Sequence, residues 1–342
     1  MNENAVLSPK LMSSEDANLW NMFMVESLLI AFKKPLYAAC EDAEIRTVIA
    51  TALEMSERYV RQIAELYRSR SHPVPKGFSE EDTNPRAPRL FSDDFALRYI
   101  NDMAKLGLRV VPQSIGEAKH RDVLDFLYRS YDDYKQLYDM CAKLLEKKGL
   151  FPSAPSVPTP DKEEFVESDR YFAGWLGKQR SLNVSEIRAI HFTIEQNAVS
   201  KTLLTGFSRV TQDPEIRDHF RKGVKMADEI IRDLERTLRE EHVNLTSTLD
   251  NEVLPAVVSP YSDKLMLAHV AQMGSGAIAI YGTYLSLVHR RDLGVKFLDM
   301  IKEGLKYASD GVDLMVQRGW LEQPPTYRDA ADAAQRDGGS RI

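Results

Sequence analysis

Apolar residues recur at helical spacing along most of the chain, and polar helix-start signals separate the apolar stretches. Leu19, Phe23, Leu28 and Phe32 form the first stripe with a roughly helical period. A longer stripe follows near the middle of the chain, formed by Val123, Leu127, Tyr131, Tyr134, Leu137, Cys141 and Leu144. No stretch shows the strict alternation of a half-exposed strand. The pattern therefore predicts an all-α protein.

The same series of helices is encoded twice. Asp42-Ala-Glu-Ile-Arg46 returns as Asp213-Pro-Glu-Ile-Arg217, 171 positions later (213 − 42). A shift of 170 carries Ser92-Asp93 onto Ser262-Asp263. Each of these segments opens a predicted helix, because Asp and Ser side chains accept hydrogen bonds from the first free N–H groups of a helix. The duplication predicts two similar halves related by an approximate internal symmetry.

Each repeat has four predicted helices and one long connection. Residues 72–91 and their copy 242–261 contain several prolines and lack a helical rhythm. About twenty extended residues are long enough to run the length of a four-helix bundle. A bundle with one such crossover is ferritin-like. We therefore expect two tandem ferritin-like four-helix bundles from an internal duplication, with a kink or local loosening at the matched positions Pro35 and Gly206.

The duplication also sets the expected domain boundaries. Residues 1–150 form the first bundle and residues 182–325 the second, each with a core of its own. Prolines at 152, 155, 158 and 160 make residues 151–181 a linker, and residues 326–342 form a polar tail. The first helix is expected to begin at Ser13 with a capping box to Asp16.

One predicted helix has no charged residue. Leu265 to Val288 contains no Asp, Glu, Lys or Arg, although its copy in the first repeat carries several. Its length alone would fit a membrane span, but the charged copy favours a buried helix and no membrane insertion. We expect this helix at the contact between the repeats or between subunits. Gly274 and Gly276 are interpreted as sites of close helix contact, so that Gly274→Leu should clash.

Composition and charge exclude several classes of protein. The net charge is −6 and the sequence pI about 5.8, which argues against a nucleic-acid-binding protein. The N-terminus has no basic region followed by an apolar run, so no secretory signal is expected. Cys40 and Cys141 are the only cysteines, and a disulfide framework is not expected. A cytoplasmic protein fits these features.

A ferritin-like fold raises the question of a metal site built from carboxylates and histidines. In the second repeat the candidate ligands for iron or manganese are Glu195, Asp228, His269 and Glu303. The alternative for His269 is a hydrogen-bonded core histidine, and most of the acids also fit a solvated surface. A conventional di-iron centre is not expected, because three acids of the first repeat are replaced in the second by Asn197, Lys225 and Gln272.

Several local motifs resemble a known family. They are Gly77-Phe78-Ser79-Glu80-Glu81-Asp82, Ala87-Pro88-Arg89-Leu90-Phe91-Ser92-Asp93, Ser262-Asp263-Lys264-Leu265-Met266, Arg290-Arg291-Asp292-Leu293 and Gly319-Trp320-Leu321-Glu322-Gln323-Pro324-Pro325. The chain resembles the tandem-repeat domain-of-unknown-function proteins of spore-forming bacteria, some of which carry a spore-coat label. The resemblance implies two ferritin-like bundles and kinship with coat-protein-F-type domains. It brings no catalytic residues.

These observations lead to two hypotheses about function. The first is a non-enzymatic structural or interaction protein, cytoplasmic or spore-associated, with a role in sporulation, the spore coat or stress. Its partners would be further copies of itself or spore-coat proteins, and it would need no cofactor. The alternative is a ferritin-like metal-dependent oxidase or metal-binding protein that holds iron or manganese. The metal content of the purified protein separates the two.

Overall fold

The computed structural model describes residues 10–84, 86–173, 180–243, 249 and 252–326. Within them, long α-helices and two isolated β-bridges are present, and no strand is formed. The helices are α1 Ser13–Ala39, α2 Ala43–Arg68, α3 Asp93–Glu117, α4 Arg121–Lys147, α5 Val184–Val210, α6 Pro214–Glu240, α7 Asp263–Leu285 and α8 Arg291–Gln317. The prediction of an all-α protein with two tandem four-helix bundles is confirmed.

Most predicted helix starts are confirmed by their hydrogen bonds. Asp42 accepts from the backbone N–H groups of Glu44 and Ile45, and Asn183 forms a capping box with Glu186. Helix α1 begins at Ser13, as predicted, but its cap differs from the predicted capping box. Its N-cap is Met12, whose N–H donates to the Glu15 carboxylate at 3.0 Å, so Ser13 already lies inside the helix. Glu15 is the third residue of the helix, the position from which a side chain reaches the N-cap backbone. Asp16 is the fourth residue and does not form this bond.

Contacts between helix ends establish the connectivity of each bundle. The Glu15 carboxylate at the start of α1 accepts from the N–H of His120, the residue before α4, at 2.8 Å. The end of α2 lies at the same end of the bundle, because the hydroxyl of Tyr67 donates to Asp16 at 3.1 Å. Helices α1 and α4 are therefore parallel, and the chain between α2 and α3 crosses the length of the bundle. The matching bond from Arg290 N to Glu186, 2.9 Å, gives the second bundle the same topology.

The two crossovers pair with each other. Ser92 N donates to Glu252 O at 3.0 Å, and Ser262 N donates to Asp82 O at 2.9 Å. These bonds are related by the 170-residue shift, as are the bonds from Asn84 N to Pro260 O and from Leu254 N to Leu90 O. Each serine hydroxyl also donates to the carboxylate of the same partner residue. Each repeat thus supports the start of the other repeat's third helix, as in a two-fold symmetric dimer.

The hydrophobic core is not divided between the repeats as the sequence suggested. One cluster extends from the first bundle into the first half of α7, and a smaller cluster fills the far end of the second bundle. At the junction the Phe32 ring lies 4.8 Å from the Tyr261 ring and 4.5 Å from the His269 ring, centroid to centroid. The cores merge because α1 packs directly against α7 and α3 against α5.

The uncharged helix α7 has two different halves. Leu265 to Val270 are buried at the contact between the repeats, as expected, whereas many residues from Ala271 onward are half-buried or exposed. Within the described residues this helix alone is long and apolar enough to cross a membrane by length and composition, a test that core helices also pass. The close-contact interpretation of Gly274 and Gly276 is wrong, since an added Cβ would meet no atom within 4 Å at either position. The clash predicted for Gly274→Leu is therefore not expected.

Gly206 is one of the helical glycines that close packing requires. Helix α5 runs unbroken through it, and an added Cβ would lie 2.5 Å from Phe91 Cε1 of the first repeat's crossover. We expect Gly206→Ala to lower the free energy of unfolding by about 1–3 kcal/mol, because the Phe91 ring must move in a packed core. Urea unfolding measures this difference. The matched control is Gly282→Ala, where an added Cβ meets nothing within 4 Å. Equal losses in the two variants would contradict the explanation.

Candidate functional site

The two repeats line a partly open apolar cavity of about 100 Å³ between α1, α3, α5 and α7. Most of its wall surface is apolar and comes from residues that include Leu28, Met103, Val199 and Ile280. Because both repeats supply the walls, the site exists only when the two halves are packed together. We call it the apolar cavity.

A buried tyrosine–histidine pair borders the apolar cavity. Tyr99 and His269 occupy equivalent positions in the two repeats (269 − 99 = 170), and Tyr99 Oη lies 2.7 Å from His269 Nε2. Burial lowers the pKa of His269 to about 3 and raises that of Tyr99 well above its usual value. The ring is therefore neutral at physiological pH. This is the hydrogen-bonded core histidine that the sequence offered as the alternative to a metal ligand.

A charged group lies on another wall of the apolar cavity. Lys105 Nζ is 2.7 Å from Glu195 Oε1 and 3.3 Å from Asp102 Oδ1. Burial raises the pKa of Asp102 to about 6, against the opposing effect of the Lys105 charge. The ion pair between Lys105 of α3 and Glu195 of α5 joins the two repeats. Because Lys105 contacts both acids, each of the three charged groups has a partner of opposite charge.

The structure places the four predicted metal ligands in separate environments. Glu195 binds Lys105, Asp228 binds Lys201 at 2.9 Å and Arg232 at 2.7 Å, and His269 binds Tyr99. Glu303 is exposed on α8. Across the described part of the chain, no group of three or more His, Cys, Asp or Glu residues could hold a metal ion. Elemental analysis of protein purified without chelator or histidine tag is the direct test.

The first bundle contains a buried polar network that the second lacks. The Glu26 carboxylate accepts from the hydroxyls of Ser56 and Tyr134, while Lys33 Nζ donates to Ser56 Oγ and to the backbone oxygen of Ala52 at 2.5 Å each. Burial lowers the pKa of Lys33 to about 8. The equivalent side-chain positions in the second bundle are Asn197, Leu204, Ala227 and Gly304. Three of these four are apolar or lack a side chain, so the second bundle cannot form this network.

Helix α8 presents an apolar face to the solvent. Its members, between 38% and 57% exposed, are Val295, Leu298, Leu305, Val312 and Val316. They share one side of the helix with Lys302 and Ser309, at spacings of three and four residues. The equivalent residues of α4 are Asp125, Tyr128, Lys135, Ala142 and Glu146. This α8 face is therefore a feature of the second repeat alone.

Sequence comparison settles the family. A family model described as "Protein of unknown function (DUF3231)" matches residues 4–162 and again residues 171–332. The chain belongs to the DUF3231 family. A crystal structure of a Bacillus halodurans C-125 protein, described as a "putative spore coat protein", aligns with a TM-score of 0.42 and 16% identity. The alignment covers 44% of this chain and 98% of that protein. No curated protein matches the chain significantly.

The family resemblance inferred from the sequence is thus confirmed, including the tandem repeat. The sequence motifs did not reveal two differences between the repeats, namely the buried network around Glu26 and the apolar face of α8. Lys33 lies seven positions after Glu26, on the same helix face, and this spacing could have indicated the buried pair. A position-by-position comparison of α8 with α4 could likewise have indicated the apolar face.

Proposed function

We propose that this DUF3231 protein is a non-enzymatic structural or interaction protein that assembles through the α8 face. The observation that carries the proposal is the exposed row of Val and Leu side chains, since exposed apolar surface of this kind marks interaction sites. Spore association in a cytoplasmic setting is the narrower proposal, supported by the motifs shared with spore-coat-labelled family members. Ferritin-like ancestry is a further part of the proposal, supported by the single long crossover in each bundle.

The partner we propose for the α8 face is a second copy of the same chain. The positions 295, 298, 302, 305, 309, 312 and 316 follow the alternating spacing of three and four residues that coiled-coil seams use. Antiparallel pairing of two α8 helices can place Val295 opposite Val312, Leu298 opposite Ser309 and Lys302 opposite Leu305. The two polar positions then restrict the register, as single polar residues do in coiled coils.

Charge complementarity supports this antiparallel register. Asp299 and Lys306 lie on the same flank of the α8 face. In the register described, Asp299 of each copy lies near Lys306 of the other, so that two-fold symmetry produces two favourable ion pairs. Flanking charges of opposite sign are the usual determinant of orientation in such helix pairs.

The α8 face predicts a dimer that two substitutions disrupt. Val295→Asp with Leu305→Lys gives α8 the residues that α4 carries at the equivalent positions. We expect the parent to be a dimer and the double variant a monomer by light scattering coupled to size-exclusion chromatography. Tyr128→Lys, at an exposed position of the equivalent α4 face, is the control and should remain dimeric. A parent that stays monomeric at high micromolar concentration would refute the proposal.

A charge exchange tests the register. Asp299→Lys should weaken the dimer by about fivefold to tenfold, because it places like charges on both flanks of the interface. Adding Lys306→Asp in the same chain should restore the dissociation constant. If the second substitution weakens the dimer further, the antiparallel arrangement is wrong even if α8 is the interface.

A further inference from the structure

A second cavity of about 50 Å³ adjoins the apolar cavity between α3 and α5. Arg98, Asn101 and His191 contribute polar groups to its wall. Asp102 and Glu195 line both cavities, as does Val199. We call the second space the polar cavity. The shared lining residues place the two spaces next to each other.

Several polar atoms around the polar cavity have no protein partner. Among the described residues, none pairs with Asn101 Oδ1, with either ring nitrogen of His191 or with Arg98 Nε. Asn101 is 1% exposed and His191 is 7% exposed. Buried polar atoms are nearly always hydrogen-bonded in folded proteins. Here the set includes an acceptor, a donor and a ring that offers one of each, which suits a molecule that both donates and accepts.

The charges around the polar cavity balance. The carboxylates of Asp102 and Glu195 stand against the cations of Lys105 and Arg98, and Lys105 already contacts both acids. Burial lowers the pKa of His191, which keeps its ring neutral. An anion entering this space would approach Asp102 and Glu195 as well as Arg98, and a cation would approach Lys105 and Arg98, so neither would gain enough attraction to offset its lost hydration. An uncharged hydrogen-bonding group fits better.

We propose that the two cavities together bind one small neutral amphipathic molecule, composed of an aromatic or short aliphatic group joined to an amide or alcohol. The apolar part lies against Leu28, Met103 and Ile280, and the head group bonds with Asn101 and His191. For scale, a dry apolar cavity of about 150 Å³ is large enough for benzene. The apolar and polar cavities are about 100 and 50 Å³.

Benzamide is the probe for this site. Titration of the full chain, followed by calorimetry and by NMR, should show saturable binding of one benzamide per chain. Toluene lacks the head group, benzoate carries a negative charge and benzylamine carries a positive charge. We expect each of the three to bind at least about tenfold more weakly, since a site built for hydrogen bonds rejects analogues that leave its groups unpaired. Equal affinity for benzamide and benzoate, or no benzamide binding at its solubility limit, would overturn the proposal.

Two variants locate the binding. Gly276→Leu fills the apolar cavity and should abolish benzamide binding, because Gly276 lines that cavity and an added Cβ meets no atom within 4 Å. Gly282→Leu, at a position with the same open surroundings, should bind normally. Asn101→Leu should reduce benzamide affinity at least about tenfold and leave toluene affinity unchanged. If that variant fails to fold, His191→Phe replaces it with the same expectation.

A crystal structure grown with benzamide provides the last check. Density for the ring in the apolar cavity and for the amide beside Asn101 supports the assignment. Water only in both cavities, at a benzamide concentration well above the measured dissociation constant, overturns it. Benzamide bound elsewhere on the chain, with Gly276→Leu still binding, also overturns it.

Discussion

Glu26→Ala is expected to lower the free energy of unfolding by about 3–5 kcal/mol, the usual effect of removing one partner from a buried charge pair. The substitution removes the stronger of the two carboxylate charges that act on the buried Lys33 ammonium, and only Glu57 remains. It also removes the acceptor of the Ser56 and Tyr134 hydroxyls. Urea unfolding monitored by circular dichroism measures the loss.

The second repeat supplies the control for this prediction. It has Asn197 and Leu204 where the first has Glu26 and Lys33. The double variant Glu26→Asn with Lys33→Leu should therefore be more stable than Glu26→Ala, although it carries more substitutions. Such recovery is expected when both members of a buried ion pair are replaced together. A double variant less stable than the single one would show that the destabilisation does not come from the unpaired lysine.

Acid is expected to destabilise the fold above the pH at which exposed carboxylates titrate. His269 has a folded-state pKa of about 3 against 6.5 when exposed. Below pH 6.5 the unfolded chain takes up a proton that the folded chain does not, so stability is highest above pH 6.5 and falls as the pH falls. The loss is about 1.4 kcal/mol per pH unit for one histidine, or roughly 4–5 kcal/mol by pH 3. Chemical unfolding at a series of pH values between 7 and 4.5 measures the slope.

The double variant Tyr99→Phe with His269→Phe isolates the contribution of His269. It removes the titrating ring without leaving the Tyr99 hydroxyl unpaired. The dependence of the unfolding free energy on pH between pH 6 and pH 4.5 should therefore decrease by about 1.4 kcal/mol per pH unit, the contribution of one proton. His219, whose pKa burial lowers to about 4, adds to the remaining slope, whereas Asp102, whose pKa burial raises to about 6, opposes it. The exposed His289 provides the control, and His289→Gln should keep the slope of the parent. An unchanged slope in the double variant would contradict the buried-histidine explanation.

Local sequence signals predicted the helices, most of their caps and the connectivity. Asp42, Asp213, Ser92 and Ser262 act on backbone groups two or three residues away, so the chain itself carries the information. The crossover could be predicted because the length of residues 72–91 and their prolines limit where that segment can run. The duplication then supplied the second bundle without further assumptions.

Tertiary neighbours could not be predicted in the same way. Gly274 and Gly206 are both helical glycines, yet only Gly206 has a ring at the place where a side chain would begin. That ring belongs to Phe91, 115 residues earlier (206 − 91), and no local pattern links the two positions. Helical periodicity shows which face of a helix is buried but not which residue meets it. The same reason explains why the predicted ligands Glu195 and Asp228 found separate cationic partners.

The exchanged crossovers set an order of events during synthesis. Ser92, at the start of α3, cannot form its hydrogen bond with Glu252 until that residue, 160 positions further along the chain, has been synthesised. At about 5–20 residues per second, the ribosome needs roughly 8–30 seconds to supply it. During that interval the nascent first bundle has helix α3 without its cap partner and the aromatic surface around Phe32 and Tyr99 without its cover. A gene fragment that stops at residue 170 encodes this unfinished state permanently, and its product would need a second molecule to complete the fold.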